Sequence, residues 1–337
     1  MSFPRKKRSG LTGLELNMAL TTLQSVKTCL REHAAAFEAN PTDNDTQSLV
    51  PFGSEFEEIL DKMLDMVAQK LDGPQALSFS GVTFDHLHSP KIELCGRLEL
   101  KSDYEARAKR GDALGATEHW SSQGLYRHLV VLQGLVPKAN EAAARTWIEA
   151  FFFRAAAMLP PGKKLVLSLG QSVPPTTMIS SNMTTVGGFI DYTVVAANGK
   201  DAEKFLKRPN LKNLKEHDHA LFVSEAKSKD VSLENHVPQA TCEMYACART
   251  LGKSTIRGAL TNGHDWIFLV VRMDADGKGA AYAESDKVGL MVKARPDRED
   301  ISFTFTSTIA GIIAHWIEHS NDDIGDDDWF TVEWDLT

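Results

Sequence analysis

Two short stretches of the chain carry ionisable groups in surroundings that a fold does not give them without reason. One is Leu221-Phe222-Val223-Ser224-Glu225-Ala226-Lys227 and the other is Gly188-Phe189-Ile190-Asp191-Tyr192-Thr193-Val194-Val195. Both read as strands rich in β-branched and aromatic residues. An ionised side chain in such a strand is costly unless it is paired or bound to a metal. Side chains alternate along a strand, so Glu225 and Lys227 share a face. Two carboxylates and a lysine at neighbouring strand ends meet the needs of phosphodiester hydrolysis. Mg2+ binds through one or two carboxylates and keeps several waters. It neutralises the scissile phosphate and acidifies a bound water, while a lysine beside it stabilises the developing charge. Asp191 and Glu225 are therefore the candidate metal carboxylates, and Lys227 the candidate catalytic lysine.

The acid-x-Lys pattern alone is weak, because Glu99-Leu100-Lys101 and Asp276-Gly277-Lys278 repeat it. The second lies in a Gly-rich turn and reads as a loop. Glu99, with Asp85 upstream, reads as a solvated position on a short, half-exposed strand. His315-Trp316-Ile317-Glu318-His319 has the H-x-x-E-H spacing of a zinc-protease helix. Such an enzyme needs a third ligand well downstream, where Glu333 is the sole glutamate. Histidines near a helix C-terminus are favoured by its dipole, the simpler reading here. Asp85-His86-Leu87-His88 reads as a polar turn before Ser89-Pro90. No G-x-x-x-x-G-K-[ST] loop is present, which excludes a P-loop NTPase.

The elements that must position these groups follow from hydrophobic periodicity. Residues 11 to 72 read as helical, with short strands over 76 to 101. Two helices are expected between about 116 and 158, split at Pro137. The second starts at Asn140, a good N-cap, and places Glu141, Arg145 and Glu149 on one face. Leu165 to Leu167 reads as a strand and Gln171 to Thr185 as a polar loop. A Lys-rich insertion (Lys200, Lys204, Lys207, Arg208, Lys212, Lys215) separates the Asp191 and Glu225 strands. Its usual explanation is a solvated charged helix; a DNA-facing insertion is the alternative. A helix follows from about Asn235 to Leu251. Asn262-Gly263 between two apolar runs is a strong hairpin signal. Strand, strand, helix and hairpin indicate an α/β domain.

The chain has 337 residues, a net charge of −8 and 42% hydrophobic content, ordinary for a globular protein. No apolar run is long enough to span a membrane. Four cysteines without C-x-x-C spacing point to free thiols rather than a disulfide framework or zinc site. Residues 321 to 337 hold seven acids and no Lys or Arg, so the rest of the chain is close to neutral. The expected organisation is a basic tail over 1–10, a mostly helical region over 11–112, an α/β domain over 113–320 and a solvated acidic tail over 321–337. Arg5-Lys6-Lys7-Arg8 has the form of a nuclear import signal, with a cytoplasmic protein as the other reading.

Gly-x-x-Asp-Tyr, Ser-Glu-Ala-Lys, a helix opening with Gln239-Ala240, and Thr-Asn-Gly-x-x-Trp together resemble the PD-(D/E)XK nuclease superfamily. The likeness is to its divergent eukaryotic branch, found in fungal proteins and Crinkler-type effector C-terminal domains. It covers about residues 115 to 320. It implies a restriction-endonuclease-like fold, a mixed central sheet flanked by helices, here with a helical N-terminal extension. It also implies Mg2+-dependent nucleic-acid cleavage, with Mn2+ as a substitute and DNA as the favoured substrate. Carried over by position, Asp191 and Glu225 hold metal and Lys227 is catalytic. Glu141 fits best as a further metal acid on the first core helix, with Glu149 second. Gln239 takes the place of a glutamine that some members carry after the lysine strand. Those members have tyrosine four residues later, where this chain has Glu243, with Tyr245 two further on. The resemblance also allows a homodimer, or a fold retained without catalysis as a nucleic-acid- or protein-binding effector.

Overall fold

A computed structural model describes residues 19–28, 59–64, 66–67, 76–88, 91–137, 140–178, 184–217, 221–295 and 298–334. The chain divides into two compact units, residues 1–75 with 181–184, and 76–180 with 185–337. In the first, residues 19–28 and 59–64 are helical, as their periodicity predicts. Leu60 is buried there and Lys27 pairs with Asp61. The basic cluster Arg5 to Arg8 lies outside the described residues.

The second unit is built on a ten-stranded mixed sheet. Its elements, labelled within this unit, are the strands β1 (Ala76–Ser78), β2 (Ile92–Leu100), β3 (Lys163–Thr177), β4 (Thr185–Asn198), β5 (Phe222–Ala226), β6 (Thr255–Thr261), β7 (Asp265–Met273), β8 (Ala280–Ser285), β9 (Val288–Gly289) and β12 (Phe330–Trp334). The order across the sheet is β1-β4-β5-β6-β7-β8-β2-β12, with β3 on β4 and β9 on β7. The pairs β1 with β4, β5 with β6 and β2 with β8 are parallel, and the other pairs of this sheet are antiparallel. A separate hairpin joins β10 (Met291–Arg295) to β11 (Arg298–Ile301).

Helices cover both faces. Alternate residues of β7 enter two cores: Ile267, Leu269 and Val271 into one, Trp266, Phe268 and Val270 into the other. The first core is closed by α5 (Gly199–Lys207), α6 (Leu211–His217) and α7 (Val237–Leu251). The second is closed by α3 (Ser122–Leu135), α4 (Glu141–Met158) and α8 (Phe303–Glu318). The remaining helices are α1 (Phe84–His88) and α2 (Tyr104–Gly111). The fold is thus mixed α/β, a large mixed sheet flanked by helices. Among the described residues no helix is long and apolar enough to cross a membrane. Cys95, Cys242 and Cys247 are free thiols.

The Lys-rich insertion is helical, as expected, in two short pieces, the first capped by the Asn198 side chain accepting from the Asp201 amide at 3.1 Å. Two local expectations are corrected. The stretch from Gln171 is not a polar loop: β3 continues to Thr177 and forms a long ladder with β4. The acidic segment from Asn321 is not a solvated tail. Its strand β12 pairs with β2, and Asp328 is fully buried against Arg257 at 2.6 Å. Arg257 sits in β6, a strand whose seven residues are all buried, so a carboxylate had to meet it.

Candidate functional site: a carboxylate and lysine cluster at a strand fork

The β3–β4 hairpin carries a local fault that creates the site. On a regular strand, residues an odd number apart face opposite sides. Yet Val166 and Val173 of β3 share one core, as do Ile190 and Val195 of β4. The alternation therefore slips by one on both strands at the same rung. Gly170, at φ +66°, lies at that rung, across from Asp191. Glycine adopts this backbone without the Cβ penalty. Next to it, β4 and β5 part company: their pairing ends at Tyr192–Ser224. The Asp191 carboxylate fills the fork, its Oδ2 accepting from the Ala226 amide at 3.0 Å.

Beyond the fork, Glu225 and Lys227 emerge on the α7 side. Lys227 Nζ lies 2.7 Å from Glu225 Oε1, and both side chains are largely buried, 13% and 5% exposed. The Lys227 amide remains in the sheet, donating to the Thr261 carbonyl at 2.9 Å. Helix α7 starts with Pro238 in its first turn, where a missing N–H costs nothing. One residue on, Gln239 Nε2 donates to Glu225 Oε1 at 2.5 Å and to Glu243 Oε1 at 2.9 Å. Residues four apart share a helix face, which brings Glu243 under Gln239.

From α4, Arg145 Nη2 reaches Asp191 Oδ1 at 2.5 Å and Glu141 Oε1 at 2.8 Å. Asn140 caps this helix as expected, its side chain accepting from the Ala143 amide at 2.8 Å. The structure thus brings Asp191, Glu225, Lys227 and Gln239 together. It leaves Glu141 one residue removed, reaching Asp191 only through Arg145. Glu149 lies elsewhere on the helix and accepts from the Tyr192 hydroxyl at 3.4 Å.

The electrostatics follow from burial. Glu225 is pushed up to about 7 by desolvation and by the nearby Asp191 charge, against the pull of Lys227. Glu243 is driven well above the ordinary carboxylate range by complete burial and then by Glu225. Its Oε2 is buried with no hydrogen-bond partner. Asp191, Glu225 and Glu243 crowd together here beside Lys227 and Arg145, and burial holds the two glutamates toward the protonated form. Two carboxylates suffice for a hard ion that keeps its own waters. Among the described residues no three His, Cys, Asp or Glu side chains are grouped to hold a metal. Asp191 and Glu225 supply two such carboxylates from neighbouring strands.

Two members of the cluster escaped the sequence reading. Glu243 appeared only as a residue where tyrosine was expected. Tyr245 does not replace that tyrosine: its hydroxyl bonds Arg249 at 3.0 Å, away from Glu225. A glutamate four residues after a helix-opening Gln, within Ala, Cys and Met, was the available signal. Arg145 was placed on the right helix face but without a partner. The H-x-x-E-H segment ends α8, where His315 approaches Asp328 at 3.6 Å and His319 bonds Asp322 at 2.9 Å. Asp85 and His86 lie in the short α1, where His86 Nδ1 meets the Thr83 hydroxyl at 2.7 Å. No family model matches this sequence and no curated protein is similar to it.

Proposed function

We propose that this protein is a metal-dependent nuclease that hydrolyses phosphodiester bonds, DNA being the favoured substrate. What supports the reading above all is the convergence of Asp191, Glu225 and Lys227 at the β4–β5 fork. A bound Mg2+ or Mn2+ would supply a Lewis acid for the phosphate and a water of lowered pKa. Asp191 and Glu225 would hold that ion from two strands. Lys227 would orient the attacking water and offset charge on the phosphate oxygens. Gln239 would fix the Glu225 carboxylate by its short hydrogen bond. A finer assignment to the PD-(D/E)XK, restriction-endonuclease-like superfamily goes with this reading, as does entry to the nucleus through Arg5-Lys6-Lys7-Arg8. Cutting both strands of a duplex would favour a homodimer.

The test is incubation of purified protein with plasmid, single-stranded DNA and RNA, with Mg2+, Mn2+ or EDTA. Cleavage is expected only with metal, and Lys227→Ala or Glu225→Ala is expected to lower it by about 10² or more. Equal cleavage by the wild type and both variants would remove the assignment. A second reading is supported by the Arg145–Asp191 ion pair, which already neutralises one metal carboxylate: a non-catalytic module that binds nucleic acid or protein. Intact substrates with retained binding in every sample would favour it.

A further inference from the structure

The segment between β4 and β5 carries six cations (Lys200, Lys204, Lys207, Arg208, Lys212, Lys215) against four acids (Asp201, Glu203, Glu216, Asp218), in a chain of net charge −8. It folds as two amphipathic helices. Ala202 and Phe205 of α5, and Leu211 and Leu214 of α6, are buried beneath α7 and the sheet. Lys204 pairs with Asp201 at 3.0 Å. Lys207, Arg208, Lys212 and Lys215 are exposed and make no ion pair among the described residues.

Lys212 and Lys215 line a cleft of about 700 Å³ together with residues 168–172 of β3. The other polar groups in its wall are amides and hydroxyls, among them Asn210, Asn213 and Ser172, and no lining residue is acidic. The strand register sets this cleft beside the carboxylates. Leu169 pairs with Tyr192 and Gln171 with Ile190, so Gly170, in the cleft wall, lies across from Asp191. That is one strand spacing, about 5 Å between backbones. Ammonium groups, amides and hydroxyls without a carboxylate form a lining that donates hydrogen bonds to anionic oxygens. Side chains of this kind contact phosphates and fix the register of a nucleic acid without reading its bases.

We propose that α6 and the facing stretch of β3 form a backbone clamp for nucleic acid, in which Lys212 and Lys215 each hold a phosphate of the strand that runs to Asp191. The clamp rests on the nuclease reading of the carboxylate site and adds to it the path of the substrate. It predicts recognition of the phosphodiester backbone irrespective of sequence. None of its residues touches the reacting atoms, so it acts on binding rather than on turnover.

The experiment is fluorescence anisotropy with labelled single-stranded and duplex DNA in EDTA, where no cleavage occurs, over a series of salt concentrations. Each phosphate contact contributes a slope of about −0.9 in log K against log salt on duplex and about −0.7 on a single strand. Lys212→Ala/Lys215→Ala is expected to weaken binding and to make the slope shallower by about 1.8 on duplex or about 1.4 on a single strand. Lys212→Arg/Lys215→Arg is expected to keep the slope. Removing the same charge at Lys109 and Lys278, which do not line the cleft, is expected to leave it unchanged. Wild-type binding with an unchanged slope in the Ala double variant overturns the clamp and leaves the nuclease reading standing. A lysine-dependent slope in a protein that never cleaves overturns the nuclease reading and keeps the clamp as a binding site. Absence of binding by the wild type overturns the clamp, and the nuclease reading then stands or falls on the cleavage assay.

Discussion

The Arg145 guanidinium lies 2.5 Å from Asp191 Oδ1, so a cation already sits on one of the two candidate metal carboxylates. Arg145 is 43% exposed and Asp191 17%, so the pair is screened on one side only. An ion entering the site must compete with this guanidinium. Partly exposed ion pairs are worth up to about 1 kcal/mol, or about fivefold in an equilibrium constant. Arg145→Ala is therefore expected to tighten Mn2+ binding up to about fivefold in a calorimetric titration. Unchanged affinity would mean that the guanidinium does not contest the site.

Glu243 offers a pH-dependent test that needs no activity. Its folded pKa is raised well above the ordinary glutamate value of 4.5, chiefly by burial. In the unfolded chain it ionises near that value, so the native state binds the extra proton above it. Stability from this group is complete at low pH and is lost as pH rises through the folded pKa. Glu243→Gln keeps the shape and the acceptor for Gln239 while removing the titration. It is expected to raise the melting temperature by several degrees at pH 8 and to change little at pH 4. An equal shift at both values would refute the buried-acid account.

The Arg257–Asp328 pair gives the opposite case. Burial alone would raise Asp328, but the neighbouring His315 imidazole, the Arg257 charge and the Trp316 indole hold it at about 2. A depressed carboxylate stabilises above its unfolded pKa, and that stability disappears as pH falls through the folded value. Asp328→Ala leaves Arg257, 1% exposed, as an unpaired buried charge and is expected to cost about 3–5 kcal/mol in denaturant unfolding. A change below about 1 kcal/mol would show that the carbonyls of Asp322 and Asp323 satisfy the guanidinium by themselves.

At the β6–β7 turn, Gly263 has φ +83° and an added Cβ would stand 2.6 Å from Trp147 Cβ. Gly263→Ala therefore strains the turn and presses on α4, the helix that carries Arg145. The expected loss is about 1–3 kcal/mol. Its direction is checked by melting the variant beside Gly134→Ala, at which no atom lies within 4 Å. Equal melting temperatures would argue against the close approach.

Part of this was legible in the sequence because its physics is local. Alternation over Phe222 to Lys227 placed Glu225 and Lys227 on one face, and the structure pairs them at 2.7 Å. Asn140 announced α4, and Asn262-Gly263 announced the hairpin. The rest depends on partners far along the chain. Nothing near Arg145 indicates that Asp191 will meet it, and nothing near Arg257 points 71 residues ahead to Asp328. The density of acids after Asn321 masked the alternation of Phe330-Thr331-Val332-Glu333-Trp334, which marks an edge strand. The slip at Gly170 was hidden for another reason. An isolated glycine in a strand pattern suggests a bulge, yet which face each neighbour takes is settled only by pairing with β4.

Strand β12 has a further consequence for how the chain matures. Its residues and Asp328 are made after nearly everything they complete, at roughly 5–20 residues per second during synthesis. Until they emerge, β2 lacks its outer neighbour and Arg257 has a prospective pocket without its counterion. A nascent chain halted before Asp328 would hold an open sheet edge, the kind of surface that recruits other strands.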